Sequence, residues 1–187
     1  MYSTNQFRRG LKIEVDGDPY NIVYFQHVKP GKGNAFVRTK LKNLVTGNVL
    51  EKTFKSGEKV GKPDLEKNAM QYMYSDGEDY NFMNLTTYES IMIPAENLGD
   101  ATNFLKENID VEVLFYKGSA IDIELPTFLN FVITQTDPGV RGDTVSGSTK
   151  PATIETGAVV QVPLFVEEGE KIRIDTRTGD YVERVKE

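Results

Sequence analysis

The chain has 187 residues, a formal net charge of −6, 39% apolar and 27% charged residues. Such a composition suits neither a disordered nor a membrane-embedded chain, and the length allows one domain or a few small ones at roughly 100–200 residues per domain. Cysteine is absent and histidine occurs once, at His27, which excludes disulfides, thiol nucleophiles, cysteine zinc sites and any centre built on two imidazoles of one chain.

No apolar run approaches the ~18 residues of a spanning helix, and no apolar core follows Arg8 and Arg9, so neither membrane insertion nor an export peptide is expected. Charge is segregated. Residues 1–64 carry 12 Lys/Arg against 6 Asp/Glu, residues 65–128 carry 3 against 12, and residues 129–187 carry 7 against 10. From Pro19 to Leu50 there is no acid, while Lys29, Lys32, Arg38, Lys40 and Lys42 fall in that window. A basic segment on an acidic protein suggests one end addressed to a polyanion; the plainer reading is a solvated strand face with lysines protecting its edge.

In chain order the pattern is short strands and turns. Residues 11–15 alternate before Asp16-Gly17-Asp18 turns the chain; 20–28 are aromatic and β-branched; 35–45 alternate; Thr46-Gly47-Asn48 turns again into 49–54. Lys62-Pro63-Asp64 ends this block, giving a first domain over 1–64. In the next, 70–74 and 80–84 flank a hairpin signal at Ser75–Asp79, followed by a strand at 88–93. Residues 94–106 predict the one helix, with Ala95, Leu98, Ala101, Thr102 and Leu105 on one stripe. Strands at 111–116 and 120–124 complete a second domain over 65–128, closed by Leu125-Pro126-Thr127. Strands at 130–136, 147–155, 158–165, 171–175 and 181–185 form a third over 129–187. Five short strands in about 60 residues fit a small Greek-key barrel of the oligonucleotide-binding type.

Apparent enzymatic motifs dissolve on inspection. The run from Gly31 to Phe36 lacks the third glycine and following helix of a dinucleotide fingerprint; Gly57 to Pro63 is one residue short of a phosphate loop and has proline where Ser/Thr is needed. No nucleophile elbow accompanies His27. Asp122 and Glu124 can share a strand face, more in the manner of a wet outer surface than of an acid-base pair.

The unusual feature is Lys29-Pro30-Gly31-Lys32-Gly33-Asn34, which joins two long predicted strands. Pro30 fixes one backbone angle, and Gly31 and Gly33 supply turn conformations without side chains. Lys32 then stands alone at a tip, and a nine-residue strand lifts it ~30 Å. The plainer reading is a flexible hairpin tip with a solubilising lysine.

Three stretches resemble the bacterial elongation factor P family, relatives of the hypusine-bearing eukaryotic and archaeal translation factor. They are Val28–Leu44 around the tip, Lys150–Gly169 with its fixed positions Lys150, Ala152, Gly157, Val162, Pro163, Phe165 and Gly169, and Ile174–Arg184. The resemblance spans the chain. It implies a mainly-β protein of three small barrels in series, an SH3-like (KOW-type) barrel followed by two OB-fold barrels, with one short helix in the middle domain. It implies no enzyme, metal or cofactor, but a cytoplasmic, monomeric factor that binds ribosomal RNA and proteins between the peptidyl and exit sites. There it relieves stalling at consecutive prolines by positioning the CCA end of the peptidyl-site tRNA. Lys32 is the functional tip and the candidate target of a lysine-modifying enzyme, with Pro30, Gly31, Gly33 and Asn34 forming the tip loop. Lys29, Arg38, Lys40 and Lys42 are assigned to RNA phosphate. Gly142, Asp143 and Thr144 are assigned to the exit-site codon region, Tyr181 and Arg184 to the anticodon stem, and Lys150 to RNA.

Two other readings are open. One is a general single-stranded RNA-binding protein stacking bases on Tyr72, Tyr74 or Phe82. The other is a carboxylate-based magnesium enzyme centred on Asp122.

Overall fold

Alternation of apolar and polar residues, broken by turn-forming pairs, produces 16 strands in this computed structural model, which describes residues 1–139 and 148–186. Gly142, Asp143 and Thr144 lie outside the described residues. The first strands are β1 (Tyr2–Ser3), β2 (Lys12–Val15), β3 (Asp18–Val28), β4 (Phe36–Asn43), β5 (Val49–Lys55) and β6 (Lys59–Val60). They build a four-stranded sheet in the order β2-β3-β4-β5 and a small β1-β6 pair, all antiparallel. The turn between β2 and β3 is Asp16-Gly17, with φ of 51° and 83°; two positive φ values match the right-handed twist of a two-residue hairpin. Along β4, Val37, Thr39, Leu41 and Asn43 point inward while Arg38 and Lys40 face water. Of these, Val37 and Leu41 meet Phe7, Leu11, Ile13, Tyr20, Ile22, Phe54 and Val60 in one core.

The next strands are β7 (Glu66–Ser75), β8 (Asp79–Met83), β9 (Ser90–Pro94), β10 (Asp110–Tyr116) and β11 (Ser119–Glu124), in the order β11-β10-β7-β8-β9. β12 (Phe128–Thr136), β13 (Thr149–Ile154), β14 (Val159–Pro163), β15 (Lys171–Asp175) and β16 (Asp180–Arg184) form the last sheet, ordered β14-β13-β12-β15-β16. By packing, the chain divides into Met1–Lys67 with Leu114–Asp122, and Asn68–Val113 with Ile123–Glu187. Within the first unit, Lys12 Nζ lies 3.3 Å from Asp122 Oδ2, and the Tyr116 hydroxyl donates to the Gly17 carbonyl at 3.0 Å.

The predicted helix over 94–106 is shorter than its periodicity suggests. Only Ala95–Leu98 is α-helical (α1), and Gly99–Phe104 continues as a 3-10 turn. Gly99 takes φ 54°, ψ −131°, outside helical space, and Asp100, Thr102 and Asn103 are weak helix formers. The expected stripe still buries Leu98 and Leu105. Phe104, not on that stripe, enters the core of the last sheet with its ring 6.1 Å from Phe131, among Ile133, Ile154, Val162 and Ile172.

In the middle sheet Tyr72 is buried against Tyr80 and Phe82. Burial, then the nearby Tyr80 and Glu107, push its phenol up to about 12 from 10.0. The neutral phenol is therefore the form that the fold accepts, and the unfolded chain releases the proton first. Its contribution to stability is full below pH 10 and is lost as pH rises from about 10 to 12. Tyr72→Phe should flatten that alkaline loss in urea titrations at pH 9.5 and 11.5; an unchanged loss would assign it to other groups. Phe104→Ala should cost the second unit about 3–5 kcal/mol, seen as a lower urea midpoint; a cost under about 1 kcal/mol would place Phe104 outside the core.

Candidate nucleic-acid interface

The β3–β4 hairpin positions the lysine-rich segment. Its ladder runs from Tyr20↔Asn43 to Val28↔Phe36, leaving residues 29–35 as the connection. Lys29, Pro30, Gly31, Lys32, Gly33 and Asn34 are all exposed. Gly33 has φ 97°, a left-handed conformation that a side chain would strain, whereas Gly31 does not. One glycine, not two, is thus required by backbone angle. Space is open around both: a Cβ at either would meet nothing within 4 Å. No hydrogen bond or ion pair ties down Lys32 among the described residues, so its amine points into solvent rather than folding onto the barrel.

Behind the tip, the outward residues of three strands stand in rows. Gln26 pairs with Arg38 and Arg38 with Thr53; Tyr24 pairs with Lys40 and Lys40 with Glu51. Arg38 lies over the Phe36 ring at 5.4 Å and Lys40 over Tyr24 at 6.0 Å. Both cations are exposed, while Lys42, one row further, is half-buried. Lys29, Lys32, Arg38 and Lys40 therefore share one accessible hairpin, and Lys42 joins them less freely.

Lys150 does not belong to this set. It is 6% exposed, and its Nζ donates to the Asp137 carbonyl. With its ammonium committed to a backbone carbonyl just past the end of β12, Lys150 acts as a strut of the last sheet. In β16, Tyr181 is half-buried against the core, and desolvation raises its phenol above the usual range. Arg184 is exposed, 4.7 Å over the Phe165 ring and 3.5 Å from Glu170. The neighbouring Arg177 donates twice to Asp175, holding that carboxyl below its usual value.

Two of the three aromatics suggested for base stacking are buried: Tyr72 at 5% and Phe82 at 0%, against Tyr74 at 57%. That arrangement corrects the stacking surface expected of the middle barrel. Asp122 is engaged with Lys12, and among the described residues no group of three or more His, Cys, Asp or Glu is placed to hold a metal ion. Sequence reasoning missed Tyr24 as part of the basic face, because simple alternation from Ile22 aims it inward.

The family models that match are the "Elongation factor P (EF-P) KOW-like domain" over residues 3–60, its "OB domain" over 65–123 and "Elongation factor P, C-terminal" over 129–184. The chain is 56% identical over 185 residues to elongation factor P of Pelotomaculum thermopropionicum, covering 99% of this chain and all of the relative. It is likewise 56% identical over 186 residues to that of Maridesulfovibrio salexigens, covering both chains fully. Among solved structures it resembles translation initiation factor 5A from Methanococcus jannaschii at 25% identity and a TM-score of 0.43, over 64% of this chain and 90% of that one.

Lys150→Ala should lower the unfolding free energy of the second unit by about 1.5–3 kcal/mol, the worth of a hydrogen bond made by a charged group, because it removes the bond from the buried lysine to the Asp137 carbonyl. Chemical denaturation checks this, and an unchanged midpoint would return Lys150 to the surface.

Proposed function

This chain belongs to the elongation factor P family of translation elongation factors, and from that premise we propose that it binds the ribosome between the peptidyl and exit sites and stimulates peptide-bond formation where consecutive prolines stall it. The observation that carries this reading is the Lys32 amine, solvent-exposed and without a partner among the described residues, at the end of a hairpin whose strands are anchored in the first core.

The proposed mechanism is positional. A proline's locked ring constrains the chain geometry at the reaction centre. A factor that orders the CCA end of peptidyl-tRNA recovers reactive geometry through proximity, and the ribosome carries out the bond chemistry. Lys32 offers three rotatable donors on a flexible stem. Extension of that amine by a lysine-modifying enzyme would add reach and donors, and the open space around the tip supports access for such an enzyme. Lys29, Arg38, Lys40 and Lys42 act on phosphate, and Tyr181 and Arg184 act at the anticodon stem. The domains over 1–64, 65–128 and 129–187 work as one monomeric cytoplasmic factor without a bound cofactor. The single-stranded RNA alternative loses support with the burial of Tyr72 and Phe82.

Lys32→Ala should abolish rescue of a polyproline reporter while leaving the thermal unfolding midpoint unchanged; full rescue by that variant would refute the assignment. Lys40→Gln should weaken ribosome binding and reduce its log–log salt slope by roughly 0.7–1, the share of one phosphate contact; an unchanged slope would remove Lys40 from the phosphate-binding set.

A further inference from the structure

The β3–β4 ladder contains one irregularity. Ile22 pairs with Leu41 and Tyr24 with Lys40, so Val23 is an extra residue in β3. Alternation from the fully buried Ile22 would aim position 24 into the core, and the bulge reverses that parity. Tyr24 consequently stands on the outer face, 39% exposed, in the same row as Lys40 and Glu51. With Gln26, Arg38 and Thr53 these side chains line a groove of about 430 Å³, within the ~300–1,000 Å³ of small-ligand sites.

The groove's chemistry is that of a nucleotide. Tyr24 supplies a flat π surface, steadied where its hydroxyl donates to Gln26 Oε1 at 3.3 Å. Arg38 and Lys40 sit two residues apart on β4, about 6.6 Å along the strand, so both reach the phosphates flanking one base. Lys40 is 6.0 Å from the Tyr24 centroid, at the outer limit of a cation–π contact, and moves to a phosphate at little cost. One acid, Glu51, stands beside Lys40 in the lining, against three cations, Arg38, Lys40 and Lys52, so the groove keeps a net positive charge.

We propose that this groove seats one unpaired RNA nucleotide, its base stacked on Tyr24 and its flanking phosphates held by Arg38 and Lys40. The inference rests on the RNA-binding role proposed above for the first barrel and adds to it a base-stacking residue. Stacking is independent of sequence and nearly independent of salt, whereas phosphate contact is not, and this separates the two contributions.

The test uses the full chain and two fluorescent probes, a hexa-adenylate RNA and the same ribose-phosphate hexamer without bases, titrated by anisotropy across a series of KCl concentrations. Wild type should bind hexa-adenylate about tenfold more tightly than the abasic hexamer. Tyr24→Leu should lose that difference with its salt slope unchanged, and Tyr24→Phe should keep it. Arg38→Gln should weaken both probes alike and reduce the slope by about 0.7. Equal affinity of wild type for the two probes, no binding to either, or a Tyr24→Leu protein that still discriminates overturns the proposal. Failure of the parent reading looks different: Arg38→Gln would then leave both salt slopes unchanged, removing the RNA role and this proposal with it.

Discussion

The antiparallel ladder between β3 and β4 determines where each candidate group of the first barrel lies. Its inward residues, Ile22, Val37 and Leu41, are fully buried and hold the register. A slip by one residue would exchange those apolar side chains for Arg38 and Lys40, so the core itself enforces which charges face out. The same ladder ends at Val28↔Phe36 and leaves a connection in which the Lys32 amine has no partner among the described residues. Core packing and cation display are thus two consequences of one register.

That arrangement reconciles a net charge of −6 with the proposed role on RNA. Fields in physiological salt decay over about 8 Å, so a phosphate near the hairpin responds to the local cations rather than to the total. The acids are concentrated in residues 65–128, away in sequence from the acid-free stretch of 19–50. Two arginines of the last barrel are differently disposed: Arg177 is bound to Asp175, and Arg184 is held between Phe165 and Glu170. They are oriented groups, whereas Lys32 is an unrestrained one.

Much of the architecture is legible in the sequence because it depends on local rules. Two-residue alternation marks the strands, and Asp16-Gly17 marks its hairpin through the positive φ values that this pair tolerates. What escapes such reading depends on context. Periodicity extends the helix past Gly99, where backbone angles end it. The bulge at Val23 leaves no compositional trace, so alternation alone does not put Tyr24 beside Lys40. Lys150 reads as a surface cation because its acceptor, the Asp137 carbonyl, is a backbone group that no residue pattern announces. Lys32 is legible for the opposite reason: its flanking residues leave nothing for it to interact with.

The account is tested most directly by a cryo-EM structure of this chain on a ribosome stalled at consecutive prolines with peptidyl-tRNA in place. It predicts the Lys32 Nζ, or any group extending it, within about 3 Å of a polar atom of the terminal CCA nucleotides. A complex in which the tip faces solvent or ribosomal protein while the factor is bound would contradict it.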